Sequence, residues 1–211
     1  MKITIVNTGS GNILSLKRAV ELFEKDVEVT EDSKKILSSS KIFFPGVGAF
    51  KKVMTNLNEK KLIETMLKVS EKNIPVFGIC LGLQLFFNES NEFGLSKGLG
   101  LIEGNVEKLP SNSVENKKMK IPSIGWYNLK QNFKSNTNQL FFSESDLIDP
   151  FYFVHSYYVK PKNRSNILAT YSFGGREIPA IVTKNNILGC QFHPEKSSKQ
   201  GLNIISKFLK N

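Results

Sequence analysis

Cys80 sits where an apolar, strand-like run passes directly into a helix-like one, Val76-Phe77-Gly78-Ile79-Cys80-Leu81-Gly82-Leu83-Gln84. A strand-to-helix turn of this kind exposes its central side chain at the carboxyl end of a sheet, and Gly78 and Gly82 remove Cβ atoms that would crowd the bend. Unpaired N–H groups at the helix start can hold an anion there, a thiolate before attack or an oxyanion after it. Alone, the pattern reads equally well as a buried cysteine between packing glycines. A partner decides, and one stands near the other end of the chain, in Gln191-Phe192-His193-Pro194-Glu195. Residues two apart in an extended segment share a face, and Pro194 keeps His193 extended, so His193 and Glu195 project together as a base with its orienting carboxylate. Thiol, imidazole and steering acid are the set that nucleophilic acyl transfer needs. The chain has two histidines. The other, His155, is the competing base, but no carboxylate follows it two residues on.

The elements that must position these groups can be read coarsely. Residues 2–6 predict a strand, and 12–23 a helix with Leu14, Leu16, Ala19, Val20 and Phe23 on its apolar side. A strand over 41–44, helices around 50–57 and 62–72, a strand over 75–79 and a helix running to about Phe87 follow. This alternation implies an α/β fold, a mostly parallel sheet with helices on both faces, whose ligands bind at the carboxyl ends of strands. The later half predicts strands over 151–159, 167–172, 178–183 and 187–192, with turns at Gly174-Gly175 and Asn185-Asn186. A last helix over 199–209 would pack through Leu202, Ile205, Phe208 and Leu209, while the polar stretches 112–118 and 131–139 predict surface loops. No repeat or low-complexity linker divides the chain.

With 211 residues, 40% of them hydrophobic, the chain can bury one good core and predicts a single domain over 1–211. No apolar run is long enough to span a bilayer, and Met1-Lys2-Ile3-Thr4-Ile5-Val6 reads as a first strand rather than a signal peptide, which together predict a cytoplasmic protein. Two cysteines suit a reducing compartment, Cys190 being a core residue of the strand that leads to His193. The net charge of +10 raises the question of nucleic acid. The lysines are scattered, as in Glu59-Lys60-Lys61 and Asn116-Lys117-Lys118, and are not interleaved with aromatic residues, so the sequence argues against it. Cys and His show no metal-ligand spacing, and no metal or other cofactor is expected.

The cysteine elbow at 78–84 and the His-x-Glu pair at 193–195 resemble those of the class I (triad) glutamine amidotransferases. Further blocks narrow the likeness to the glutaminase subunits of imidazole glycerol phosphate synthase: Pro45-Gly46-Val47-Gly48, Gly98-Leu99-Gly100-Leu101-Ile102-Glu103-Gly104, Ile124-Gly125-Trp126, Tyr152-Phe153-Val154-His155-Ser156-Tyr157 and His193-Pro194-Glu195-Lys196-Ser197. They occur in family order and span essentially the whole chain.

The resemblance implies a flavodoxin-like amidotransferase fold and hydrolysis of L-glutamine by Cys80, His193 and Glu195. It implies an oxyanion hole from backbone N–H groups of Val47 or Gly48 with that of Leu81, and substrate contacts from Gln84 and the His155-Ser156-Tyr157 segment. It also implies a heterodimer with a (β/α)8-barrel cyclase subunit of the HisF type, faced by Asn12, Trp126, Tyr152 and Lys196. Each has a plainer reading: Gln84 as an ordinary helix residue, Asn12 as a helix cap, Trp126 as core, Lys196 as a solvated charge. One departure stands out. Where the family usually reads Pro-His-x-Gly-Trp-Asn, this chain has Pro122-Ser123-Ile124-Gly125-Trp126-Tyr127-Asn128. Tyr127 is expected to add bulk beside Trp126 and to alter the rim where ammonia leaves. The departure keeps open an alternative, a related glutaminase that serves a sugar amidotransferase of cell-surface polysaccharide synthesis.

Overall fold

The computed structural model describes residues 1–131 and 147–210. Strands β1 (Ile3–Val6), β2 (Val27–Thr30), β3 (Lys41–Gly46) and β4 (Val76–Cys80) alternate with helices α1 (Ile13–Glu21), α2 (Ser33–Leu37), α3 (Phe50–Glu59) and α4 (Leu62–Glu71). The short α5 (Leu81–Leu85) follows β4 without a loop. Next come β5 (Phe87–Ser90), β6 (Ser96–Lys97), β7 (Ile102–Lys108), β8 (Ser123–Tyr127) and β9 (Lys130–Gln131). The chain ends in β10 (Phe151–His155), β11 (Tyr157–Pro161), β12 (Ile167–Phe173), β13 (Arg176–Lys184), β14 (Ile187–Cys190) and α6 (Ser198–Lys210).

The main sheet has the order β2-β1-β3-β4-β14-β13-β12-β9, parallel from β2 to β14 and antiparallel beyond. Each face has its own core. On one, Leu16 and Val20 of α1 and Ile205 and Phe208 of α6 lie with Ile3, Ile5, Phe43 and Phe77. On the other, Ile36, Val53, Leu57 and Met66 of α2, α3 and α4 lie with Ile42, Phe44 and Val76. The neighbours Phe43 and Phe44 therefore serve opposite cores, as the two-residue pleat requires when both faces are covered. Lys41, at the start of β3, is buried, and its Nζ donates to the carbonyls of Phe208 and Leu209 at 2.7 and 2.9 Å. An ammonium thus closes the carboxyl end of α6, where the helix dipole favours it.

Strand order positions the site. β4 lies between β3 and β14, with Cys80 opposite Gly46 and Ile79 opposite Cys190. Segments remote in sequence therefore flank the cysteine: the glycine turn after β3 on one side and the Gln191–His193 stretch on the other.

Several local expectations change. The helix after the cysteine stops at Leu85, not near Phe87, because the carbonyls of residues 85–88 are taken by N–H groups of Gly98, Leu99, Gly100 and Ile102 instead of by a further helical turn. The strand expected over 151–159 breaks at Ser156: β10 pairs with β8, and β11 pairs with β7 in a different sheet. Leu14 and Phe23 are 60% and 41% exposed, so the buried stripe of α1 is Leu16, Ala19 and Val20. The stretch 112–118 is a small turn closed by an Asn112–Lys118 bridge. Of the loop expected over 131–139, Gln131 pairs with Ala169 in the main sheet, and residues 132–139 lie outside the described residues.

Candidate active site

Cys80 is both the last residue of β4 and the N-cap of α5, with φ 54° and ψ −110°. A side chain held at positive φ costs on the order of 1–3 kcal/mol, a strain found mostly where function demands the geometry. The neighbouring glycines make the turn possible by close packing rather than by their own dihedrals. A Cβ at Gly82 would collide with the Phe44 carbonyl oxygen, and one at Gly78 with the Phe86 ring.

The thiol faces a cavity of about 340 Å³, a size usual for small-molecule sites. Its lining brings together Cys80, Leu81, Gln84, Val47, Gly48, His155, Ser156, Tyr157 and His193, with Glu92, Pro122 and Val154 in addition. A larger open groove of about 1140 Å³ lies elsewhere, along Glu103, Lys160 and Arg164, and holds none of these groups. Volume is outweighed here by chemistry: the smaller cavity has the thiol and both imidazoles.

Glu195 lies behind His193, its Oε1 2.9 Å from His193 Nδ1, with both side chains almost fully buried. Glu195 Oε2 is buried with no hydrogen-bond partner among the described residues. Burial works against a charged His193 ring, but the hydrogen bonds and charges of Cys80 and Glu195 outweigh it and push His193 up to about 10. The surroundings therefore favour the protonated imidazole beside the sulfur, with a carboxylate fixing which nitrogen faces it.

His155 is placed differently. Its Nδ1 donates to the Tyr157 carbonyl at 2.8 Å, and its Nε2 accepts from the Tyr171 hydroxyl at 2.8 Å. Burial pushes it down to about 4, against the favourable pull of the Tyr157 carbonyl and with a further push from His193. With both ring nitrogens committed, it has no free lone pair for a proton, and among the described residues no acid is hydrogen-bonded to it. Because its folded value lies below the unfolded 6.5, the stability that His155 contributes is full above about pH 6.5 and is lost as pH falls towards 4. The gap is worth about 3 kcal/mol, and His155→Gln, which can keep an amide in the same space, is expected to flatten that acid loss in urea melts at pH 7 and 4.5. An unchanged acid dependence would place it on another group.

The glycine turn contributes backbone. Val47 and Gly48 are exposed on the cavity, and Gly48 has φ +94° with open space around its α-carbon. The Val47 N–H donates to Ser10 Oγ at 3.4 Å, so of the two candidates in the turn Val47 is already engaged. Gln84 also departs from expectation. Its Nε2 donates to the Tyr157 carbonyl at 2.9 Å and to Gln191 Oε1 at 3.0 Å, which uses both amide hydrogens. Only its carbonyl oxygen remains to meet a ligand.

Around His193 the partner-facing candidates collect. The Tyr152 carbonyl accepts from the His193 N–H at 3.0 Å, and the Tyr152 ring lies 5.7 Å from that of Trp126, which is 50% exposed. Lys196 is exposed, and Asn12 shares a void of about 10 Å³ with His193 and Glu195. Asn12 stands at the N-cap of α1 but makes no side-chain capping bond, and Trp126 is not core. Tyr127 and Ser123 overturn the expectation of an altered rim. Alternation along β8 turns Tyr127 away from Trp126 into the core, where it packs on Phe153 and Tyr171 with centroids 5.7 and 5.0 Å apart. Ser123 is buried and donates to the Tyr127 hydroxyl at 3.1 Å. Sequence reading also missed Gln191, fully buried between Gln84 and Cys80, and Glu92 at the cavity wall. Gln191 lay within the quoted His-x-Glu segment, but only the fold shows that it reaches the sulfur.

Comparison with known proteins decides the family. The family model described as glutamine amidotransferase class-I matches residues 4–211. This chain belongs to the class I glutamine amidotransferases. It is 38% identical over 208 residues to imidazole glycerol phosphate synthase subunit HisH 1 of Legionella pneumophila, covering 98% of each chain. It is 39% identical over 208 residues to the subunit HisH of Geobacter sulfurreducens, covering 98% of this chain and 97% of that one. Among solved structures, the amidotransferase fold recurs in PurLQS from Thermotoga maritima, with TM-score 0.69, 17% identity and coverage of 99% and 97%. It recurs again in the glutaminase domain of Trypanosoma brucei CTPS with bound acivicin, with TM-score 0.65, 17% identity and coverage of 99% and 92%. Among the described residues, no helix of this amidotransferase is long and apolar enough to cross a membrane.

Proposed function

We propose that this chain is the glutaminase subunit of imidazole glycerol phosphate synthase, a single cytoplasmic domain that hydrolyses L-glutamine and passes ammonia to a (β/α)8-barrel cyclase subunit of the HisF type in histidine biosynthesis. The observation that carries the reading is its 38% and 39% identity over nearly the whole chain with HisH subunits, together with a thiol and an imidazole in one cavity and the Glu195 carboxylate held behind that imidazole.

In this mechanism the Cys80 thiolate, its proton held by His193, attacks the side-chain amide carbon of glutamine, and the carbonyl oxygen becomes an oxyanion beside the N–H groups of Leu81 and the Val47-Gly48 turn. The protonated His193 gives its proton to the departing nitrogen, releasing ammonia and leaving a thioester. The ring, now neutral and held by Glu195, takes a proton from water, the hydroxide adds to the thioester carbon, and the sulfur leaves with glutamate formed. Ser156, Tyr157 and the Gln84 carbonyl oxygen line the substrate's path. Ammonia released to solvent would be lost as ammonium, which is the chemical reason for docking a barrel against the exposed Trp126-Tyr152 pair with Asn12 and Lys196 around it. The alternative acceptor, a sugar amidotransferase, loses its motive, because Ser123 and Tyr127 point into the protein.

Paired with a standard cyclase, the chain is expected to support glutamine-dependent imidazole glycerol phosphate formation and to rescue a histidine auxotroph lacking its own glutaminase. Failure of both with glutaminase activity intact would overturn the assignment of the acceptor.

A further inference from the structure

The amide of Gln191 has no role in the mechanism above, yet it is fully buried and its Nε2 lies 3.7 Å from the Cys80 sulfur. Which end of an amide faces a neighbour is set by the hydrogen bonds around it, and here one group fixes them all. The Tyr157 carbonyl can only accept. It receives His155 Nδ1–H at 2.8 Å and Gln84 Nε2–H at 2.9 Å. The nitrogen of Gln84 is therefore on that side, and its second hydrogen goes to Gln191 Oε1 at 3.0 Å. That leaves the nitrogen of Gln191 facing the sulfur as a donor.

The far end is locked as well. His155 carries its proton on Nδ1, so its Nε2 must accept, and it does so from the buried Tyr171 hydroxyl. Each link from Tyr171 to Cys80 thus has one permitted direction, and the backbone N–H of Gln191 is tied to the Ala180 carbonyl of the neighbouring strand at 2.9 Å. We propose that Gln191 is a positioning residue for the nucleophile, holding the Cys80 sulfur as the acceptor of an N–H bond and so fixing its rotamer towards the amide carbon of glutamine. This rests on Cys80 being the nucleophile. An amide donor to sulfur favours an electron-rich sulfur in place for attack and contributes little to binding the substrate, so its loss should fall on kcat rather than on KM.

Two substitutions separate positioning from packing. Gln191→Glu keeps shape and the acceptor for Gln84 but turns a carboxylate oxygen to the sulfur. Gln191→Met removes donor and acceptor together while keeping volume. In the complex with a cyclase, both are expected to lower kcat about 10- to 100-fold with KM changed less than about threefold, Glu more than Met. The same order should appear in the rate at which iodoacetamide alkylates Cys80, read by mass of its peptide, Cys190 being fully buried. Wild-type alkylation rate and kcat in either folded variant would overturn the proposal. If Cys80→Ala retained activity, or alkylating Cys80 did not inhibit, the nucleophile assignment itself would fall, a result distinct from failure at Gln191 alone.

Discussion

Cys80→Ala is expected to lower glutamine hydrolysis by at least about 10⁴-fold while leaving the fold and partner docking intact, the scale of loss when one member of a nucleophilic triad is removed. The substitution takes away the sulfur without touching the backbone, and what survives is binding without a nucleophile. A second consequence follows from the positive φ of Cys80. Alanine inherits that strain and glycine does not, so Cys80→Gly should be as inactive as Cys80→Ala but more stable by about 1 kcal/mol, read as a higher midpoint in urea. The native chain thus gives up stability to present a side chain at the elbow. Residual hydrolysis near the wild-type level in Cys80→Ala would sink the mechanism. A Gly variant less stable than the Ala variant would mean that the turn is unstrained.

The sequence made Cys80, His193 and Glu195 legible because each lies in a short segment whose local backbone already points its side chain. A strand ending in Gly-Ile-Cys-Leu-Gly and an extended His-Pro-Glu need no long-range information to be read. Most of the parallel core was legible too, since β1, β3 and β4 and helices α1, α3 and α4 carry strong apolar periods, whereas β2 and α2, of four and five residues, went unread. The short pieces were not. β5, β6 and β9 span four, two and two residues and owe their conformation to the segments beside them. The break at Ser156 was hidden for the same reason, because the run from Phe151 to Val159 reads as one strand until two different sheets compete for its halves. Gln84 shows the limit within the site. Helical spacing placed it one turn beyond Cys80, but which end of its amide faces the ligand depends on a carbonyl 73 residues away. Tyr127 shows the opposite error: adjacency to Trp126 suggested a shared surface, whereas in a strand adjacent residues face opposite ways.

Glu195→Gln should be almost as damaging as loss of the nucleophile, although it changes one atom. The carboxylate accepts from His193 Nδ1–H and thereby leaves Nε2 to exchange a proton with the sulfur and the leaving nitrogen. The Glu195 side chain is buried, and its second oxygen has no partner among the described residues that would hold an amide NH₂ away from the ring. A glutamine can therefore turn its nitrogen to Nδ1, which forces the proton onto Nε2 and leaves a neutral ring unable to act as base towards water. A fall of about 10³- to 10⁴-fold in kcat is expected, the size seen when an orienting carboxylate becomes an amide. The pH profile supplies the sign. The proton on His193 is held up to about 10 in part by Glu195, so removing that charge moves its loss to lower pH and pulls in the alkaline limb of kcat. Glu195→Asp, which restores charge at shorter reach, should recover part of the rate and return the limb towards its native position. A Glu195→Gln enzyme with native turnover and an unmoved alkaline limb would show that the carboxylate serves only to pack the loop.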